Sequence, residues 1–373
     1  MKIGIVTKWV DEGYTGVGQY TYNLLTHLKK IDNKNEYTLI HLKKSDDLLY
    51  KKSERWSDIL IPRLPSVLWV VSENLFIKKI AKNFDIIHEP FIGLFMRMNC
   101  KTVITIHDLI PRMKGSKVPI SFKLYFRYLM PRALKLADGI IANSENTKKD
   151  LHRYYDIEEK KIAVIHHGVE KIEPSEENIE KTKKMFDIEY PYILSVGTTY
   201  HTKNLPNAIR AFSKFKKRKA GEKYKFIIAG KRGSDYKNIL KIIRELGLKE
   251  EVILTAEHKE YLKNEEIASL YKLSSLLIFP SLYEGFGFPP LEAMAHNIPV
   301  IASRAASIPE VVGDAAIFFE PTNIEEIANA IEIALIDNEI RNKLIKRGQE
   351  RIKLFTWDRC ARETLDWYEN VAT

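Results

Sequence analysis

The sequence predicts an α/β protein built from two doubly wound parallel sheets. Three observations carry that prediction. Short β-branched apolar runs alternate with longer helical patterns from one end of the chain to the other. A polar, charged segment, Lys171-Ile-Glu-Pro174-Ser-Glu-Glu-Asn-Ile-Glu-Lys181, interrupts the alternation near the middle and reads as a linker. The length of 373 residues suits two domains of common size.

In the first half, strands are expected at Lys2–Val6, Tyr37–His41, Ile59–Ile61, Asp85–His88, Thr102–His107, Gly139–Ala142 and Ala163–Ile165. Each is a short apolar run bounded by polar or turn residues. Helical spacing of apolar residues falls at Val17–Lys30, Val67–Lys82, Ile120–Leu136 and Ser144–His152, with Ser144 placed to cap the last of these. In the second half, strands are expected at Tyr192–Val196, Lys225–Ala229, Val252–Leu254, Leu276–Phe279, Val300–Ala302 and Ala315–Phe318. The helices there are Leu205–Arg218, Tyr236–Leu246, Asn264–Lys272, Pro290–Ala295, Ile324–Leu335 and Ile340–Ile352. A final helix, Trp357 to Asn370, lies beyond the second set of strands. The domains are accordingly 1–173 and 191–356, joined by a linker at 174–190. Parallel sheets of this kind bind ligands beyond the carboxyl ends of their strands.

Composition narrows the function. Hydrophobic residues make up 45% and charged residues 29%, as in an ordinary globular protein. No apolar run approaches the length of about 18 residues that a membrane span needs. The chain enters a strand-like pattern at Met1-Lys-Ile-Gly-Ile-Val, which argues against a signal peptide. Cys100 and Cys360 are too few for a disulfide framework or a metal site, so a reducing, cytoplasmic setting is expected. The net charge of +10 is one-sided: Met1 to Glu173 holds 29 basic and 20 acidic residues, and the rest of the chain is close to neutral. A basic half suggests an anionic partner, such as a membrane face. Two stretches mix cations with apolar residues in a way that suits an anionic bilayer: Ile92 to Asn99, and Ser121 to Lys135 with Lys123, Arg127 and Lys135.

The most informative segment is Ser281-Leu-Tyr-Glu284-Gly-Phe-Gly287-Phe288-Pro-Pro-Leu-Glu292-Ala-Met-Ala. It follows an apolar strand and runs into a helix that begins near Pro289 or Pro290. A glycine turn before a helix presents backbone N–H groups to an anion. Glu284 and Glu292 bracket that turn, and a carboxylate beside a phosphate cradle is suited to sugar hydroxyls. One glutamate on a ribose and the other on a second sugar across a diphosphate describes a nucleotide-sugar.

This spacing resembles the glutamate-x7-glutamate motif of retaining glycosyltransferases, and the chain is similar to GT-B enzymes of family 4, of the mannosyltransferase-like branch. The resemblance implies two Rossmann-like doubly wound domains facing a central cleft, an N-terminal acceptor-binding domain and a C-terminal nucleotide-sugar domain, with the helix at 357–373 packed back on the first. It implies that Glu292 accepts the ribose hydroxyls and Glu284 binds a donor-sugar hydroxyl. Thr105-Ile-His107-Asp108 ends a strand, and in the family the histidine of this motif reaches the donor sugar; Asp108 would orient the imidazole or bind the acceptor. Gly197 opens the second domain, and Lys203 stands where the family carries an Arg-Lys pair, so one cation is missing. Lys231 and Arg232 follow the next strand and can supply it. With the backbone at Gly287 and Phe288, these cations would neutralise a departing diphosphate. The loop Gly13-Tyr-Thr-Gly16-Val-Gly18 would line the cleft; Thr21 stands where a dinucleotide fingerprint wants a third glycine, which argues against a nicotinamide site. His167 replaces the family's usual asparagine and receives no role.

The expected activity is metal-independent transfer of a hexose, mannose favoured, and the resemblance implies retention by front-face attack. The donor is GDP-mannose or a UDP-sugar, and the acceptor is a glycan or a lipid-linked saccharide. No cofactor, no metal and no nucleic acid is expected. The rival readings are a sugar-nucleotide epimerase of the same fold and a non-catalytic nucleotide-sugar-binding protein.

Overall fold

The computed structural model describes residues 1–11, 16–42, 53–61, 69–91, 93–113 and 116–373. The chain forms two compact units. The first comprises Met1–Gly168 with Phe355–Thr373, and the second Val169–Leu354.

The first unit carries a seven-stranded parallel sheet. Its strands are β1 (Lys2–Val6), β2 (Glu36–His41), β3 (Trp56–Leu60), β4 (Ile86–Glu89), β5 (Lys101–Ile106), β6 (Gly139–Ala142) and β7 (Ile162–Val164). Their order across the sheet is β3-β2-β1-β4-β5-β6-β7. Strands such as β4 and β6 are buried along their whole length, as a sheet covered on both faces requires. The chain reverses its direction of travel across the sheet between β1 and β4. The core runs from Val6 and Ile40 through Ile87, Ile104 and Ile140 to Phe126, Met130 and Leu134 on the helical segment after β5. That segment was expected as one helix over Ile120–Leu136; a π-helical turn at Tyr125–Leu129 interrupts it. The C-terminal helix, Trp357–Ala372, packs against the helix Gly16–Ile31 and against β5. Gly139 leaves room for it, because a Cβ there would stand 2.6 Å from Val371 and 2.8 Å from Trp367.

The second unit carries a six-stranded parallel sheet: β8 (Tyr192–Val196), β9 (Lys225–Ala229), β10 (Val252–Leu254), β11 (Leu276–Phe279), β12 (Val300–Ser303) and β13 (Ala316–Phe319). The order is β10-β9-β8-β11-β12-β13, so the direction of travel reverses between β8 and β11. Helices Leu205–Lys216 and Ile324–Ile336 bury Ile209, Phe212, Ile327 and Ile331 over this sheet.

Two expectations require correction. The linker at 174–190 contains a helix, Glu176–Phe186, that belongs to the second unit. Ser175 caps it by accepting from Asn178 N, and Ile179, Thr182 and Phe186 form a buried stripe against helix Asn264–Leu273. Three inward residues in eleven suffice to hold a helix to a neighbour, and a composition count does not detect so sparse a stripe. The stretch from Ile92 to Asn99, expected to face a bilayer, sends Leu94, Phe95 and Met98 into the core instead; Ile92 itself lies outside the described residues. The helix expected over Val67–Lys82 is described from Trp69 to Ile80.

Candidate functional site

In the second unit, the loops after β8, β9 and β11 place the expected residues at the carboxyl edge of the sheet, around the reversal between β8 and β11. The β8 and β9 loops are zipped together. Gly197 N donates to Ala229 O (2.8 Å), Thr199 N to Lys231 O (3.1 Å) and Gly233 N to Thr199 Oγ1 (2.7 Å). Gly230, with φ +152°, lets this happen, since a Cβ there would stand 2.2 Å from Gly197 O. Lys203 ends the β8 loop. Its aliphatic stem lies beside Gly197, whose added Cβ would be 3.1 Å from Lys203 Cε. Its ammonium reaches Glu284 Oε1 at 2.6 Å and lies 5.3 Å from the Phe279 ring centre.

The β11 loop is held on several sides. Asn204 Nδ2 donates to Pro280 O (3.0 Å) and Pro321 O (2.7 Å), and Leu282 N donates to Thr202 O (2.7 Å). Ser307 Oγ donates to Glu284 O (2.9 Å) and Phe286 O (3.0 Å). Gly287 sits at φ +106° and caps the helix Phe288–Ala295. That conformation favours glycine at the turn from the β11 loop into the helix. Pro289 and Pro290 carry no N–H and Leu291 N–H can close the first helical bond to the Gly287 carbonyl, so Gly287 and Phe288 carry the backbone donors that the helical ladder itself does not use. One turn on, Glu292 accepts a hydrogen bond from Tyr271 Oη at 2.7 Å. Burial pushes the Glu292 carboxyl above its ordinary pKa, and the tyrosine hydroxyl opposes that shift. Tyr271 is itself stacked on His296, ring centres 5.6 Å apart.

The two further cations differ. The Lys231 ammonium rests over the Tyr261 ring at 4.5 Å, on an exposed residue. The Arg232 guanidinium donates to Ala256 O (3.0 Å) and covers the Tyr236 ring, which ties it to its own side of the sheet. Both residues are exposed.

In the first unit, His107 follows β5 directly. Its Nε2 lies 2.7 Å from Pro90 O and its Nδ1 3.2 Å from His167 Nε2. Asp108 does not orient the imidazole. Its carboxylate accepts from Ile110 N (2.9 Å) and turns the chain into the short helix at Ile110–Arg112. Behind His107 lies a line of neutral polar groups: Tyr20 Oη and Thr105 Oγ1 are 3.2 Å apart, Thr105 Oγ1 meets His88 Nε2 at 2.8 Å, and His88 Nδ1 meets Tyr368 Oη at 2.6 Å. Burial lowers the pKa of His107 to about 4 and that of His88 to about 3, and holds His167 well below the ordinary value. His107 is partly exposed as a residue, but both ring nitrogens face protein atoms, which is where the charge would form. Gly16 and Gly18 lie in the first turn of the helix Gly16–Ile31; Gly13 falls outside the described residues.

Tyr271, Asn204, Ser307 and His167 were not singled out as site residues. Each meets its partner across a long stretch of chain, and no spacing rule links Tyr271 to Glu292 or Ser307 to Glu284.

Two family models match this chain: "Glycosyltransferase Family 4" over residues 14–171, and "Glycosyl transferases group 1" over residues 176–351. The chain belongs to glycosyltransferase family 4. Among similar proteins, the O-antigen chain mannosyltransferase B of Escherichia coli is 26% identical, covering 99% of this chain and all of its own length. The serotype-specific mannosyltransferase WbdA of Escherichia coli is 28% identical over 73% of this chain, which spans about a third (34%) of WbdA. Among solved structures, sucrose-phosphate synthase from Thermosynechococcus elongatus has a TM-score of 0.78 at 19% identity, with 100% of this chain and 99% of that one covered. Anabaena HepE in complex with UDP and glucose has a TM-score of 0.75 at 18% identity, with 99% and 100% covered. The fold of this family 4 member is therefore GT-B, and its two parallel-sheet units are the two halves of that architecture.

Proposed function

We propose that this protein transfers a hexose from a nucleotide-sugar with retention of configuration, and without a metal ion. One observation carries the reading. Lys203 and Glu284, 81 residues apart, meet at 2.6 Å where the second sheet reverses, beside the Gly287 turn and one helical turn from Glu292. The ion pair is half-buried, and each partner has a use in a diphospho-sugar: the ammonium for the diphosphate, the carboxylate for a sugar hydroxyl. A bound donor would exchange the internal pair for two ligand contacts. Glu292, braced by Tyr271, would take the ribose hydroxyls. Lys231 and the N–H groups at Gly287 and Phe288 would share the diphosphate charge as it departs. The leaving phosphate would accept the proton of the attacking hydroxyl, so that attack and departure share one face of the sugar. His107 is the site residue we assign to the first unit, which would hold the acceptor.

Mannose as the sugar rests on the names of the sequence relatives, and a glycan or lipid-linked saccharide as acceptor is consistent with the same names. GDP is the favoured base. UDP is its rival, because HepE was crystallised with UDP. We also assign a peripheral contact with an anionic bilayer to residues 120–128. Ile120, Leu124 and Tyr128 lie four residues apart and are 69%, 50% and 64% exposed, next to Lys123 and Arg127, while Phe126 faces the core. No helix among the described residues is long and apolar enough to cross a membrane.

The test is thermal stabilisation by GDP-, UDP- and ADP-sugars without added metal. Ligand at about 100 times its dissociation constant stabilises by about 2.7 kcal/mol. A response to one base that is lost in Glu292→Ala supports the donor site. An equal response in both proteins refutes the ribose role, and a response that requires Mg²⁺ refutes metal independence.

A further inference from the structure

His107 makes two ring contacts, and their chemistry dictates where its protons lie. Pro90 O is a carbonyl oxygen and only accepts, so His107 Nε2 carries the hydrogen of the 2.7 Å contact. Burial keeps the ring neutral at ordinary pH, so its Nδ1 holds a lone pair. The hydrogen in the 3.2 Å contact must then come from His167 Nε2. Asn143 Nδ2 also approaches His167 Nε2, but at 3.4 Å, and Asn143 Oδ1 already accepts from Thr147 Oγ1 at 2.9 Å. An amide nitrogen only donates, so Asn143 does not compete for a proton of His167; with a hydrogen on His167 Nε2 the 3.2 Å contact to His107 is the hydrogen bond and the longer Asn143 approach is not one. The His167 ring is not free to turn away. It is buried, lies 4.5 Å from the Tyr20 ring centre on one side and is stacked 6.1 Å from that of Trp357 on another. The next residue, Gly168, lies so close to the start of the C-terminal helix that a Cβ would stand 2.2 Å from Trp357 N.

We propose that His167 is a positioning residue for His107: its Nε2–H fills the Nδ1 lone pair of His107 and fixes that ring as the neutral Nε2–H tautomer against Pro90. The proposal rests on the reading of His107 as a site residue. It gives a physical role to a histidine that stands where the family usually has asparagine. An asparagine amide at 167 ends about one bond short of the position of an imidazole Nε2, whereas a glutamine amide reaches it. The titratable groups around the pair are Tyr20, His88 and His166, besides the two rings themselves. With both nitrogens engaged, His107 is not a proton carrier, and its contribution is to hold shape and polarity at the end of β5.

The experiment uses the whole chain labelled with ¹⁵N in its histidines, with His107 assigned through His107→Gln. In the wild type, His107 should show one protonated nitrogen, Nε2, and an Nδ1 resonance moved in the direction of a hydrogen-bonded lone pair. In His167→Leu, that Nδ1 resonance should move to the position of an unbonded lone pair, and in His167→Gln it should return. Transfer with the best donor from the thermal panel should follow. In His167→Leu, kcat falls roughly 10–100-fold with the donor KM little changed, and His167→Gln recovers most of it. Should His167→Leu fail to fold, His167→Asn takes its place. An unchanged Nδ1 resonance in the leucine variant, or two protonated nitrogens on wild-type His107, overturns the proposal. Expected spectra with unaltered turnover leave His167's hold on His107 standing and refute instead the assignment of His107 to the site.

Discussion

Replacing His107 by glutamine should flatten the pH dependence of stability by an amount the structure sets. A glutamine retains an N–H for Pro90 O but does not titrate. In the folded chain His107 is neutral down to about pH 4, while an unfolded histidine protonates near 6.5. The unfolded chain therefore binds more protons across that window. Stability from this group is fully present above pH 6.5 and is lost as the pH falls. At pH 5 the loss is the 1.5 units between 5 and 6.5, at about 1.4 kcal/mol each, or about 2 kcal/mol relative to pH 7.5. The figure does not depend on where below pH 5 the folded group titrates. Glu89 pulls the other way, because burial lifts it to about 8 beside Lys8 and Glu73, so its stabilising proton is lost as the pH rises. For that reason the quantity to measure is the difference between wild type and variant, in which the Glu89 contribution cancels. All five tryptophans (Trp9, Trp56, Trp69, Trp357 and Trp367) lie in the first unit, so denaturant unfolding followed by tryptophan emission reports that unit. Wild type should lose about 2 kcal/mol more than His107→Gln between pH 7.5 and 5. Parallel curves, with a difference under about 0.5 kcal/mol, would mean that the ring is already hydrated or charged, and would refute the argument from burial.

Three further outcomes are expected. Lys8→Met leaves the buried Glu73 and Glu89 carboxyl groups, which lie 2.7 and 3.5 Å from the ammonium, without their cation. It should cost about 3–5 kcal/mol in the same tryptophan assay, and adding Glu73→Gln and Glu89→Gln should restore part of this; a loss under about 1 kcal/mol would show that the cluster is hydrated. Gly230→Ala drives a Cβ into Gly197 O at a φ of +152° and should cost about 2–4 kcal/mol while weakening nucleotide binding, read by circular dichroism melting and the thermal panel. A melting point within about 1 °C of wild type would show that the paired loops yield freely. Reversing Lys123, Arg127 and Lys135 to glutamate should abolish sedimentation with anionic liposomes at low salt, each cation contributing roughly 1 kcal/mol; undiminished sedimentation would dismiss the bilayer contact.

Each of the thirteen strands among the described residues overlaps a run marked in the sequence, because buried parallel strands are short β-branched runs between polar breaks, a purely local signal; the half-buried β3 overlaps least, forming at Trp56–Leu60 where Ile59–Ile61 is expected. The Ser144 cap was legible for the same reason: Ser144 Oγ accepts from Thr147 N three residues on. Helix Glu176–Phe186 was missed because its polar composition outweighs a stripe of three residues. The π-helical turn at Tyr125–Leu129 has no local signature that sets it apart from an ordinary helix.

The candidate site divides along the same line. The residue types were readable from the chain: glutamates eight positions apart around a glycine turn, a histidine at a strand end, lysines after two strands. Their spacing is set by one turn and one strand end, which are local structures. Which groups they meet was decided only by the tertiary structure. Lys203 finds Glu284 because β8 and β11 are neighbours, although 81 residues separate the two side chains. Tyr271 braces Glu292, Arg232 is drawn to Ala256 O, and His107 turns to Pro90 and His167 rather than to adjacent Asp108. Hydrogen bonds depend on distance and direction to within a few tenths of an ångström, and for groups far apart in sequence that geometry exists only once the strands between them have been ordered into a sheet.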